Sequence, residues 1–493
     1  MIFNSLHFLI FFPIVVCLYF VIPKKVRYIW LLVCSYYFYM SWNAKYAVLI
    51  ATSTVITWAG ALFIEKSAKR QIRILCLVSV LVSNLGILFF FKYFNFFLGN
   101  INRILNHMNV QVLEVSFDVL LPVGISFYTF QALGYTIDVF RKNTRAEKNL
   151  LRYALFVSFF PQLVAGPIER SKNLLKQMHE VHSFDAERVK NGLLLMLWGF
   201  FQKVVIADRI ALCVTNVYDN YTAYTGLQIA IATILFAVQI YCDFAGYSDI
   251  AVGAAQVMGF RLMQNFRAPY FSKSVAEFWR RWHISLSTWL RDYIYIPLGG
   301  SRCGRLRKYV NTMVTFLVSG LWHGASWNYV VWGGLNGGYQ VAGDVSASLR
   351  KKIAKHCKIR TECFTYRLFQ MLLTFCMVDF AWLFFRAESL KTALHMLWHG
   401  IHNIGLFSWI DANSVLGITT LGIDEKDFYL MLITITVLFV VDVIRIKYPI
   451  RVILEKQNLV FRWGLYYMVI LIILIFGVYG VLFDASSFIY FQF

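Results

Sequence analysis

Charge is what this 493-residue sequence has little of. Asp, Glu, Lys and Arg together make up 15% of it, where an ordinary soluble domain carries about 25%. Carboxylates are scarcer than cations, 26 against 47, which leaves a formal net charge of +21. So little charge excludes a cytosolic globular enzyme and a disordered scaffold. Cysteine is no framework either. There are nine, an odd number with no CxxC pair, and Cys17, Cys34, Cys76, Cys213, Cys242 and Cys376 lie inside apolar stretches. They read as small packing residues, not as disulfides or a metal site. No Walker loop, GxGxxG, GxSxG or HExxH occurs, which argues against an ATP-driven pump, a Rossmann enzyme, a serine lipase and a zincin. Internal repeats and Gly/Ser- or Pro-rich linkers are absent too, so the expectation is one membrane-embedded domain over 1–493.

What is present is apolar: 59% hydrophobic residues, 18% aromatic, and a mean hydropathy of +0.59. The hydrocarbon core of a bilayer is crossed by about 20 apolar residues as helix. Runs of that kind occur at 6–22, 28–43, 47–64, 72–98, 118–139, 190–217, 227–246, 309–325, 327–343, 366–386, 428–445 and 463–483. The reading is an all-α bundle of about twelve crossings. Two further stretches, 153–168 and 282–300, are interrupted by Pro161, Gly166, Pro167, Pro297, Gly299 and Gly300. Irregular backbone survives at membrane depth only when buried in protein or lining a wet cavity, so both are expected to be re-entrant or buried.

Most of the 47 Lys and Arg fall in short clusters at 24–27, 66–73, 141–152, 170–190, 261–281, 302–308, 350–360 and 445–462. Twelve crossings and two re-entrant segments put all eight on one side, which the K/R bias makes cytoplasmic. Both termini then face outward, as does the loop 387–427, and the outer stretches 218–226 and 402–427 are poor in Lys and Arg. Clusters of this kind are a topology signal, not the single basic patch of a nucleic-acid binder, and no nucleic-acid partner is expected. The first apolar run, Leu6–Ile22, has no basic residue before it and Lys24, Lys25 and Arg27 after it, so it is expected to persist as an uncleaved helix.

Ionisable groups at membrane depth mark functional sites by default. His323 stands in Ser319-Gly320-Leu321-Trp322-His323-Gly324-Ala325-Ser326-Trp327, at the reversal between two runs. Imidazole can take a proton from a hydroxyl at neutral pH, and Trp322 and Trp327 could wall such a site; the plainer alternative is an interfacial histidine in an aromatic belt. The segment 277–300 interleaves Arg280, Arg281, His283, Arg291 and Asp292 with aromatics. Its arginines could bind phosphate as forks or snorkel to anionic headgroups. Asp243 and Asp249 flank Gly246 at a spacing of about 240° on a helix, so a kink at the glycine with Asp243 inward is expected, for packing, an ion pair or chemistry. His395, His399 and His402 share a helix face, with His399-Gly400 read as a surface turn. No carboxylate or cysteine joins them, and no metal site is expected there. His179 and His182 carry as little weight.

Glu277–Gly300 followed by Ser319–Trp327 resembles the membrane-bound O-acyltransferase superfamily. The match extends to its bacterial cell-envelope branch, which includes alginate and peptidoglycan O-acetylation membrane proteins and the teichoic acid D-alanylation protein. The family histidine in Trp-His-Gly falls on Trp322-His323-Gly324, and a second, in Arg-x-Trp-His-x-Ser-Leu-Ser, on His283. Pro122–Tyr128, Phe160–Ile168 and Asp243–Asp249 resemble further family blocks, so the likeness runs almost end to end, with a core at about 118–345. The last residues, Phe488–Phe493, resemble the C-terminal aromatic motif of acetylating members, which implies an acyl relay at Tyr490 (a plain aromatic anchor being the alternative).

The resemblance implies an O-acyltransferase of the bacterial plasma membrane. It would take an acyl group, acetyl foremost, from a cytoplasmic thioester (acetyl-CoA or an acyl carrier protein), with no permanently bound cofactor. The acceptor would be a hydroxyl of an extracytoplasmic polysaccharide, reached with an SGNH-type partner protein. His323 would be the general base and His283 would orient the thioester. Tyr490 would accept the acyl group, and Trp322, Trp327, Ser319, Asp243, Arg280, Arg281, Arg291 and Asp292 would line the substrate path. The alternatives are D-alanyl transfer, acylation of a lipid or protein, and an envelope-lipid transporter. The last would be expected to carry inverted repeats.

Overall fold

A computed structural model describes residues 1–110, 121–411, 414 and 418–479. These residues form helices and turns, with one isolated bridge between Ile410 and Ile418 and no strand among them. They divide into two compact units: Met1–Met196 with Tyr247–Met263, and Leu197–Gly246 with the described part of Gln264–Asp484.

The first unit holds α1 (Leu6–Val21), α2 (Arg27–Met40), α3 (Ala47–Lys66), α4 (Arg70–Leu88), α5 (Phe94–His107), α6 (Ile125–Phe140), α7 (Leu150–Ser158), the single turn α8 (Phe160–Leu163) and most of α9 (Ala186–Phe200). Its helices carry few charges and are tied by short polar contacts. Ser53 donates to Asn84 Oδ1 (2.6 Å) between α3 and α4, and Tyr153 donates to Thr57 (2.8 Å) between α7 and α3. Such bonds hold helices together where lipid offers no hydrophobic drive between them. Of the two interrupted stretches expected to be re-entrant or buried, the one at 153–168 is buried, as is every residue from Tyr153 to Glu169, whereas Arg291, Ile296 and Pro297 of 282–300 are exposed. The freed backbone of the buried stretch finds partners, as when Ser35 Oγ accepts from the Phe160 amide (3.1 Å). Two family-like blocks meet here. Gly124 adopts φ +76°, and a Cβ on it would lie 2.6 Å from the Leu163 carbonyl oxygen, so only glycine fits that turn.

The second unit holds the end of α9, a π-helical turn (Phe201–Ala207), α10 (Asp208–Asp219), the first part of α11 (Gly226–Met258), α12 (Val275–Arg281), α13 (Ile284–Leu290), a π-helical turn (Arg291–Tyr295), α14 (Arg305–His323), α15 (Trp327–Val345), α16 (Ala347–His356), α17 (Phe364–Arg386), α18 (Leu390–His402), α19 (Glu425–Lys447), α20 (Ile450–Glu455) and α21 (Leu459–Phe476). Helices α14 and α15 form a tight hairpin. A Cβ on Gly320 would lie 2.2 Å from the Tyr329 carbonyl oxygen, and one on Gly333 2.4 Å from that of Phe316. With Gly324 and Gly337 these make two small-xxx-small pairs, which let membrane helices touch backbone to backbone.

Among the described residues six helices are long and apolar enough to cross a membrane: Ala44–Lys66, Arg70–His107, Gly226–Met258, Phe364–Arg386, Glu425–Lys447 and Leu459–Phe476. The chain is a helical membrane protein. The other expected runs are shorter, as at Leu6–Val21 and Arg27–Met40, interrupted, as at 190–217, or more polar, as in α14 and α15. Two local expectations are corrected. Helix α11 passes unbroken through Gly246, whose missing side chain instead admits the Gly199 carbonyl, 2.7 Å from where a Cβ would stand. His399 and Gly400 are no surface turn but lie within α18, with His399 Nε2 bonded to the Tyr224 carbonyl (2.9 Å).

Candidate active site

The two singled-out histidines come together in the second unit. His323 ends α14, where Gly324 turns extended; a Cβ there would strike the Tyr329 ring. His283 lies between α12 and α13 with φ +41° and ψ +53°, left-handed for a residue with a side chain. Such a conformation costs about 1–3 kcal/mol and persists where its surroundings over-determine it, often at functional sites. Both side chains are buried, and the ring centroids lie 6.4 Å apart.

Aromatic rings enclose the pair. Phe244 of α11 meets His283 edge-on at 4.6 Å, and Trp322 lies 5.8 Å from His283 and 4.9 Å from His323. Trp332 of α15 and Phe385 of α17 contact His323 at 5.1 and 5.3 Å. Behind them Trp382 packs against Trp332 and Trp282. Rings in tilted or edge-on contact add about 0.5–1.5 kcal/mol per pair beyond their burial, and a wall of this kind keeps bulk water from two imidazoles. Hydropathy alone did not reveal Trp332, Trp382, Phe385 and Phe244, because aromatics in an apolar run carry no mark of what they face.

Asp243 is buried and its carboxylate meets Lys203 (2.6 Å), which also meets Asp208 (2.9 Å). All three side chains are less than a tenth exposed. Lys203 sits on the π-helical turn Phe201–Ala207, a distortion that widens one helical turn and recurs at functional sites. The ion triad thus fixes the turn of α11 whose next residue, Phe244, touches His283. Nearby, Tyr241 donates to Asp442 of α19 (2.8 Å), and Arg209 bridges to Asp427 (3.0 Å) and donates to the Phe476 carbonyl (2.8 Å). The sequence carries part of this signal, since Lys203, Asp208 and Arg209 stand inside the apolar run 190–217.

The remaining expected site residues lie as follows. Ser319 is buried one turn before His323 on α14, and Trp322 is buried beside it. Trp327 begins α15 and is half exposed. Arg280 is exposed; Arg281 pairs with Glu277 within α12; Arg291 and Asp292 pair with each other (2.8 Å) on the second π-helical turn. Tyr490 lies outside the described residues. In the first unit His179 bonds to Glu147 and Arg152, and His182 packs on Phe260 and bonds to the Gln177 carbonyl (3.2 Å). Burial lowers the pKa of His182 from its ordinary value. Among the described residues no group of three or more His, Cys, Asp and Glu could hold a metal.

A helical membrane protein with two aromatic-walled histidines, one in Trp-His-Gly, defines a class. The model of the MBOAT, membrane-bound O-acyltransferase family, matches residues 139–386, half of the chain. The chain belongs to this family and is an acyltransferase. Among known proteins it is 39% identical to the probable alginate O-acetylase AlgI of Pseudomonas syringae pv. tomato, over 80% of this chain and 74% of that one. It is 34% identical to the peptidoglycan O-acetyltransferase of Helicobacter pylori, over 75% and 72%. The teichoic acid D-alanyltransferase of Bacillus subtilis matches more distantly, at 29% over 43% of this chain and 56% of that one. Within the family the chain therefore stands with O-acetyltransferases.

Proposed function

We propose that this protein moves an acetyl group from a cytoplasmic thioester, acetyl-CoA first, through the bilayer of the bacterial plasma membrane to a polysaccharide hydroxyl on the outer side. The observation that carries the reading is the buried His283–His323 pair, 6.4 Å apart within aromatic walls. His323 acts as general base. As the acceptor oxygen attacks the thioester carbonyl carbon, its proton passes to the imidazole. The carbon–sulfur bond breaks, the thiolate leaves and takes up a proton, and an ester and a free thiol result. His283 orients or polarises the carbonyl, since at this separation both rings can address one acyl group. An acetyl group is small and uncharged, so a narrow path can pass it while the charged carrier stays behind. Tyr490 serves as the first acceptor, a phenol being a better leaving group than a sugar alcohol, and an SGNH-type protein completes transfer to the polymer.

The names of the relatives support acetyl over D-alanyl, and alginate or peptidoglycan as model acceptors. The test is sidedness. The purified protein is placed in proteoliposomes with radiolabelled acetyl-CoA on the face of the basic loops and alginate oligosaccharides or peptidoglycan fragments, with the SGNH-type protein, on the other. Label in the acceptor of the opposite compartment supports the reading. Label confined to the donor compartment, or to lipid, overturns it.

A further inference from the structure

We infer that Asn265 is a positioning residue for His283: it clamps the left-handed turn that carries the imidazole. The inference rests on the reading of His283 as part of the acyl-transfer site. His283 joins two short helices, α12 and α13, and neither is long enough to fix its ring by itself. What fixes the turn is the segment running beside it. The Arg267 amide donates to the Arg281 carbonyl (3.0 Å), two residues before the histidine, and the Ile284 amide donates to the Asn265 carbonyl (3.0 Å), one residue after it. The Asn265 side chain adds a second hold, as its Oδ1 accepts from the Ser285 hydroxyl (2.7 Å) and, at 3.3 Å, from the Ser285 amide. The clamp therefore grips the chain on both sides of His283.

The Asn265–Ser285 side of the clamp is shielded from competing water. Asn265 is 2% exposed, and Ser285 and His283 are both at 0%. The partnering segment is itself shaped for the task, since Ala268, three residues on from Asn265, is also left-handed at φ +45°. Phe266, between them, packs edge-on against both Phe244 and Trp282 at 5.0 Å, the first of which touches His283. The short stretch Asn265–Arg267 thus supplies the hydrogen bonds that hold the turn and an aromatic ring beside it. A left-handed residue that carries a side chain relaxes toward other backbone conformations when its restraints go. That relaxation would swing the imidazole away from its partner, and a misplacement of about 1 Å costs roughly 100-fold in rate.

The test compares Asn265→Leu, which removes the acceptor at similar volume, with Asn265→Asp, which keeps it. Both are made in the full-length protein in lipid nanodiscs, and monodispersity on gel filtration confirms folding. Acetyl transfer from acetyl-CoA is measured alongside modification of each histidine by diethyl pyrocarbonate, read by peptide mass spectrometry. The expected result for Asn265→Leu is turnover lowered by about 100-fold at unchanged KM for acetyl-CoA. Modification of His283 should rise several-fold while that of His323 stays constant, and Asn265→Asp should restore both. Wild-type turnover in Asn265→Leu, lost turnover with His283 still protected, or an aspartate that restores neither readout would overturn the clamp. His283→Ala separates this from failure of the underlying reading. If that variant keeps full turnover, His283 has no part in transfer; if it is inactive while Asn265→Leu is not, only the clamp falls.

Discussion

Removing the cation at the centre of the buried triad is the sharpest perturbation available away from the histidines. Lys203→Met keeps the length and apolar stem of the side chain but leaves Asp208 and Asp243 without the ammonium that lies 2.9 and 2.6 Å from them. At an effective dielectric constant of about 20, each attraction is worth roughly 6 kcal/mol before desolvation is counted. Taking one partner from a buried ion pair costs about 3–5 kcal/mol net, because the other charge stays behind unmatched. Here two carboxylates would be left together. If the second unit unfolds as one body, that loss lowers the midpoint by about 5–9 °C, using the per-residue unfolding entropy of globular proteins. The assay is thermal unfolding of the purified protein followed by fluorescence-detected gel filtration. The neutral triple variant Lys203→Met, Asp208→Asn, Asp243→Asn should recover most of the loss, since it strands no charge. A change below about 1 kcal/mol in Lys203→Met, the size expected of an exposed pair, would refute the argument that this triad is a dry structural centre.

Other expectations follow from the proposed function and from the α14–α15 hairpin. Tyr490→Phe should remove nearly all polymer acetylation while leaving insertion normal, and mass spectrometry of the wild-type C-terminal peptide should find an adduct of about 42 Da, one acetyl; a silent variant removes the relay and leaves direct transfer. Gly320→Ala places a methyl 2.2 Å from the Tyr329 carbonyl oxygen, so the hairpin carrying His323 must shift. A stability loss of about 1–3 kcal/mol, with turnover falling alongside, is expected by the same unfolding assay and acetyl transfer.

How much of this was legible beforehand depends on the kind of signal. His323 and His283 stood out because an ionisable group in an apolar run has few innocent explanations. The buried stretch 153–168 stood out because proline and glycine at membrane depth need protein around them. Asn265 could not be found this way. It is a polar residue in a connection, where asparagine is commonplace, and its meaning comes from the backbone it meets twenty residues later. The Lys203–Asp208–Asp243 triad is half visible: the spacing around Gly246 points Asp243 inward, while the apolar residues of 190–217 hide Lys203 and Asp208. The expected break at Gly246 failed because a glycine can serve close helix packing as readily as a bend.

The central claim is that the imidazole of His323 does chemistry in the membrane interior. It is tested most directly by His323→Ala in cells and in proteoliposomes, with insertion and gel-filtration profile checked against the parent. The account predicts no acetyl on the acceptor from a protein that folds and inserts as before. Acetylation at the parental rate by that variant would contradict it.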